Sequence, residues 1–167
     1  TGGHMHREDD NVAGVDCDGP WEIRKGVRAM AMEGVDFIKT AASGGFQWAN
    51  ESVSTEDYTV EELQALVDEA HRRHKKVVVH AHSPPGLNHA IQVGCDQIHH
   101  GALIDEEALQ GIKERGLDYL PTLHITSEQC YTRESWPIHM RERMREASPV
   151  HREGVKKAHE MGIEMGV

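Results

Sequence analysis

The sequence predicts a parallel α/β architecture, and three observations carry that expectation. Short apolar runs rich in β-branched residues alternate with amphipathic stretches at helical spacing. Most connections between them are short, as in chained β-α-β units. Lys39, His80 and His100, all polar and metal-competent, stand at the C-terminal ends of successive apolar runs, where parallel α/β folds place their sites. Two closures satisfy this pattern, an open doubly wound sheet and a (β/α)8 barrel. A whole barrel needs about 250 residues, more than the 167 present, so the second closure would mean part of a barrel.

Residues 21–33 read as a helix with Ile23, Val27 and Met30 on one face, bracketed by Pro20 and Gly34. Residues 35–41 read as a buried strand ending at Ser43-Gly44-Gly45. A long polar loop, 46–58, carries Trp48, and loops of this length are often functional lids. Thr59-Val60-Glu61-Glu62 is a capping box opening a helix with Leu63, Leu66, Val67 and Ala70 inward. Residues 76–82 form the strongest strand pattern, stopped by Pro84-Pro85-Gly86. A short helix over 87–93 leads to a strand at 96–100. Asp105 caps a helix through Arg115, with Gly116 as its stop, and 117–120 form another short strand before Pro121. The stretch 127–146 is charged and poorly periodic. Ser148-Pro149 then reads as the cap of a helix reaching Met161, and 163–167 as the start of a fifth strand.

The net charge of −10 argues against nucleic acid as a partner, because phosphates would be repelled. No apolar run approaches the roughly 20 residues of a membrane span. Cys17, Cys95 and Cys130 are odd in number and far apart, which predicts neither a disulfide framework nor a thiolate cluster and favours a reducing, cytoplasmic setting. The chain opens on Thr1 with no visible leader, so an earlier segment is expected to precede it. Thirteen histidines justify a search for metal sites.

Alternation puts Phe37, Lys39 and Ala41 on one face. A lysine buried there either pairs with an acid, forms a Schiff base, or loses its proton and adds carbon dioxide to give a bridging carbamate. His80 and His82 point the same way, a geometry for two zinc ligands, or for one ligand followed by a loop residue. His99 and His100 are adjacent, so regular strand geometry directs only one of them into a shared site.

With these segments identified, the chain resembles the amidohydrolase superfamily, in its imidazolonepropionase-like and Xaa-Pro dipeptidase-like branch. The matching segments are Thr1-Gly2-Gly3-His4, Gly34-Val35-Asp36-Phe37-Ile38-Lys39, Ser43-Gly44-Gly45, Val79-His80-Ala81-His82, Gly94-Cys95-Asp96-Gln97-Ile98-His99-His100-Gly101 and Leu120-Pro121-Thr122-Leu123. The resemblance implies a single domain over 1–167 that forms part of a (β/α)8 barrel, cut at both ends. It implies one or two metal ions, usually zinc, with Lys39 as a carboxylated bridging ligand and His80 and His100 as further ligands. These three are therefore the candidate catalytic and metal-binding residues.

The family commonly has Glu where His99 stands, and residue 99 is expected to face away from the metal. The family's first-strand His-x-His pair and its eighth-strand Asp have no counterpart in the chain, and His4 and His6 are not assigned to that pair. The implied activity is hydrolysis of a small amide or peptide substrate by metal-activated water, with His4, His82 and Tyr131 as candidate substrate contacts. Two other readings are a noncatalytic metal-binding partial barrel and a flavodoxin-like phosphate binder. The second lacks a Gly-rich strand-to-helix turn, since Ser43-Gly44-Gly45 leads into a long loop. Open sheet edges predict a homo-oligomer.

Overall fold

In the computed structural model the described residues are 14–166. His4, His6 and Val167 lie outside them. Strands β1 (Phe37–Ala41), β2 (Lys76–Ala81), β3 (Gln97–His100) and β4 (Asp118–Leu120) form one sheet in the order β1-β2-β3-β4, and every pairing is parallel. Helices α1 (Gly19–Met32), α2 (Val60–His71), α3 (Pro84–Gln92) and α4 (Glu106–Arg115) alternate with them. Past β4 come a 3-10 turn (Leu123–Thr126), the short α5 (Glu128–Tyr131) and the long α6 (Ile138–Glu160). The chain then returns beside β4, where Met165 bridges Tyr119 in parallel. The sheet does not close on itself among the described residues.

Local chemistry sets the helix ends. Thr59 and Glu62 form the reciprocal capping box that opens α2. Asp105 accepts from the Ala108 amide to start α4, and Gly116 ends it in the left-handed conformation that lacks a Cβ penalty. Helix α3 begins at Pro84, earlier than the sequence reading placed it, because the first helical turn needs no amide donors and so accepts proline. Helix α6 differs more. Ser148 and Pro149 lie inside it and do not cap it. Its buried side chains, Met144, Ala147, Ser148, His151, Gly154 and Ala158, recur every three or four residues straight through the proline. Pro149 is exposed, so its ring meets solvent while the opposite face stays packed.

The two faces of the sheet have different fates. Ile38, Val77, Val79, Ala81, Ile98 and Tyr119 meet Leu63, Leu66, Leu87, Leu109 and Ile112 from the helices. Each fully buried Leu or Ile contributes about 1.5–3 kcal/mol, so this face carries the stability. The other face holds Phe37, Lys39, Val78, His80, Gln97, His99 and Leu120, which the parallel register aligns. A second, smaller apolar cluster sits apart from the main core. It joins Phe46, Ala102, Cys130, Met144 and Ala147, with Ile125, Tyr131, Trp136 and Met140 packed against it. The three cysteines are free and buried. No helix among the described residues is long and apolar enough to cross a membrane.

Outside both clusters, α1 and α2 are joined through a buried carboxylate. Glu69 accepts from Arg28 at 2.9 and 3.0 Å and from Arg73 at 3.0 Å, and these partners hold its pKa down at about 2.

Candidate metal centre

The chemistry-bearing residues gather at the C-terminal ends of β1, β2 and β3. His80 is buried, and the register pairs it with Ala41 on one side and His99 on the other. Lys39 pairs with Val78, two residues lower. Two residues of strand are about 6.6 Å, within reach of the four-carbon lysine stem. The amine does climb that far: Nζ stands 3.0 Å from His99 Nδ1. Burial lowers the Lys39 pKa to about 7. Burial, and then the charge of Lys39, lower that of His99 to about 4. The His99 ring is thus neutral, and its Nε2 lies 2.8 Å from Gln97 Oε1. That oxygen only accepts, so it places the ring proton on Nε2 and leaves Nδ1 to accept from Lys39.

The expectation that residue 99 faces away from the site is therefore reversed. Alternation gives His99 the face of Lys39 and His80, and would send His100 toward the helices. His100 nevertheless joins the site, because its backbone takes φ +79, leaving strand geometry. Its ring lies 4.7 Å from that of His80 and stacks on that of His82 at 5.2 Å, centroid to centroid. A left-handed histidine costs about 1–3 kcal/mol unless its surroundings compensate. The surroundings here are specific. The His100 carbonyl accepts from Tyr119 Oη at 3.0 Å and from His151 Nε2 at 2.9 Å. His100 Nδ1 meets Thr122 Oγ1 at 2.6 Å. Gly101 follows at φ +60, and a Cβ there would come within 2.7 Å of Tyr119 Oη, so any side chain would disturb that hydrogen bond.

His82 lies one residue past β2 on the same side as His80, with ring centroids 4.6 Å apart. It is buried, and its amide donates to Ser43 Oγ at 2.8 Å. The Phe46 ring tilts against it at 4.5 Å. Gly44 is required nearby, because a Cβ there would run into the Ser52 carbonyl as the long loop returns. His80, His82 and His100 line one cavity of about 130 Å3 with Gly45, Glu51 and apolar walls from Phe46, Ile125, Met140 and Met144. The walls belong to the second apolar cluster, which thus roofs the site.

Of the sequence-derived candidates, His80, His82 and His100 share this cavity. Lys39 stands beside it, against His99. Tyr131 packs in the roof cluster under the Arg145 guanidinium, 5.6 Å from its ring centroid, and is not among the cavity-lining residues. His4 lies outside the described residues. The sequence reading missed Thr122, His151 and the roof. His151 did carry a signal, since a polar residue at the spacing of Met144, Ala147 and Ala158 falls on a buried helix face.

Imidazoles and a lysine of low basicity thus gather at the C-terminal end of a parallel sheet, the end at which parallel α/β folds place their sites. No family model matches the chain. It is 32% identical over 126 residues to ochratoxinase of Aspergillus niger, covering 72% of this chain and 26% of that protein. It superposes on the A. niger ochratoxinase crystal structure with a TM-score of 0.84 at 26% identity, over 93% of this chain and 36% of that one. A Xaa-Pro dipeptidase solved with methionine bound in its active site gives 0.83 at 27% identity, over 96% and 42%. A structure described as an amidohydrolase gives 0.82 at 30%, over 93% and 38%. The chain belongs to the amidohydrolase superfamily, among its dipeptidase-like members. It spans about a quarter of the length of the curated relatives it matches.

Proposed function

We propose that the protein to which this chain belongs hydrolyses an amide bond in a dipeptide, an N-acyl amino acid or a similar small molecule, using divalent metal, zinc by donor chemistry. The observation that carries this reading is the convergence of the His80, His82 and His100 rings within 4.6–5.2 Å of one another on one cavity at the C-terminal end of the sheet. Relatives named as ochratoxinase and Xaa-Pro dipeptidase support the same bond type.

The donor set fits a divalent cation in kind. Imidazole nitrogen is a preferred zinc donor, and a lysine whose pKa is about 7 is substantially neutral at physiological pH and open to carboxylation. Among the described residues no three His, Cys, Asp or Glu side chains already stand in ligand geometry, so His80, His100 and carboxylated Lys39 form part of a larger set. When bound, the metal would make hydroxide available near neutral pH. The remaining roles fall to the chain itself. Phe46, Ile125, Met140 and Met144 exclude water and offer apolar contact to a substrate side chain, which agrees with a relative that holds methionine. His82, stacked on His100, would touch the substrate.

The test uses the full-length protein with zinc and a panel of dipeptides and N-acyl amino acids. Turnover should vanish on chelation and return with zinc, and His80→Ala should retain less metal. Chelator-insensitive turnover, or unchanged metal content in both His80→Ala and His100→Ala, would refute the reading.

A further inference from the structure

Three residues outside the cavity converge on one ligand candidate from three parts of the fold. Thr122 follows β4 and is itself left-handed, at φ +48, a rare state for a β-branched residue. Its Oγ1 is 2.6 Å from His100 Nδ1. Tyr119, in β4 and fully buried, donates to the His100 carbonyl at 3.0 Å. His151, in α6 and also fully buried, reaches the same carbonyl at 2.9 Å through Nε2, while its Nδ1 lies 2.9 Å from Thr126 Oγ1. The carbonyl can only accept, so His151 Nε2–H donates to it, while Nδ1 lies against the Thr126 hydroxyl, which itself donates to the Leu123 carbonyl at 3.3 Å. Two donors on one carbonyl pin the plane of a peptide that strand geometry would turn the other way.

We propose that Thr122, Tyr119 and His151 are a positioning clamp that holds His100 in its left-handed conformation with the ring proton on Nδ1, leaving Nε2 to face the His80–His82 cluster. Thr122 Oγ1 accepts that proton. The partner of one ring nitrogen decides which nitrogen is left for a metal, and a partner of this kind typically carries a factor of roughly 10–100 in metal affinity. The inference rests on the reading of His100 as a ligand. It explains why α6, which contributes no ligand, is packed against the end of β3. It also explains why residue 101 is glycine, since the clamp's tyrosine occupies the space of a Cβ.

The experiment has two arms on the full-length protein labelled with 15N-histidine. In the metal-free protein, long-range 1H–15N correlation spectra read the ring tautomer of each histidine, with the His100 signals assigned by their loss in His100→Ala. The native protein should show His100 as the Nδ1–H tautomer. Thr122→Val should move it to the Nε2–H form or to exchange between forms, and Thr122→Ser should restore it. Tyr119→Phe and His151→Leu should perturb the same ring, with circular dichroism confirming the fold. In the second arm, zinc titration of Thr122→Val should show affinity lower by roughly 10–100-fold, with Thr122→Ser near native. His100 as the Nε2–H tautomer in the native protein, or an unchanged tautomer in Thr122→Val, would overturn the clamp. If instead His100→Ala binds zinc as the native protein does, the ligand assignment fails, while the metal-free arm still decides the clamp.

Discussion

Lys39 and His99 make a pair whose protonation is settled by burial. In the folded chain the amine is held near pKa 7 by desolvation, against about 10.4 for an exposed lysine. Between those values the unfolded chain keeps a proton that the folded chain has released, so the contribution of this group to stability rises with pH across that window. The same shift sets reactivity, since only the neutral amine attacks an acylating reagent or carbon dioxide. Competitive acylation followed by peptide mass analysis should give Lys39 a midpoint near pH 7. A Lys39 midpoint above 9 would show that its amine is solvated. The sequence disclosed this lysine, because a cation in an apolar run needs a reason to be there. It could not disclose the role of His99. Strand alternation assigns either of two adjacent histidines to the site until register is known, and the exception at His100 is a backbone angle at a residue whose partners Tyr119, Thr122 and His151 are all distant in sequence.

At the scale of elements, what was legible depended on whether a signal was local. Capping boxes, helix stops and β-branched runs are local, and they located α1, α2, α4 and the four strands closely. Helix α6 was obscured because Pro149 and dense charge outweighed a continuous apolar stripe. That cost the roof of the site, since Met140 and Met144 are on the segment read as irregular. The same helix also fastens the loop over the site. His139 Nε2 donates to the Gln47 carbonyl at 3.1 Å, and Arg143 donates to those of Trp48 at 2.8 Å and Ala49 at 3.1 Å. Three consecutive carbonyls are thus tied to two side chains one helical turn apart. Hydrogen bonds to a charged donor contribute about 1.5–3 kcal/mol each, and partial exposure at this site puts them at the low end. Arg143→Ala should raise amide hydrogen exchange across residues 46–51 while leaving β2 protected. Unchanged exchange in that loop would mean that packing of Phe46 alone holds it.

At the scale of the whole molecule, helices cover one face of the sheet among the described residues, while the other is covered around Val78 and His80 but open at Phe37. Parallel sheets are almost always buried on both faces, because crossover helices or a closed barrel cover them. Here the helices and the main core lie on one side, while Phe37 on the other remains 40% exposed beside half-buried Lys39, Gln97, His99 and Leu120. The outer edge of β1 pairs with no strand among the described residues. In the longer protein we propose that further strands of a (β/α)8 barrel cover both features, in keeping with relatives nearly four times the matched length. The 167 residues produced by themselves would have only one another to cover them. The net charge of −10 opposes association, but charges beyond about 8 Å are screened at physiological salt, whereas an exposed strand edge and apolar face act at contact. Association should therefore prevail. Size exclusion with light scattering at 0.15 M salt should show the isolated chain as a dimer or larger, and Phe37→Glu, on the exposed face, should shift it toward monomer. A monodisperse, folded monomer at micromolar concentration would mean that the inner face is stable in water as it stands, and would remove this support for the barrel.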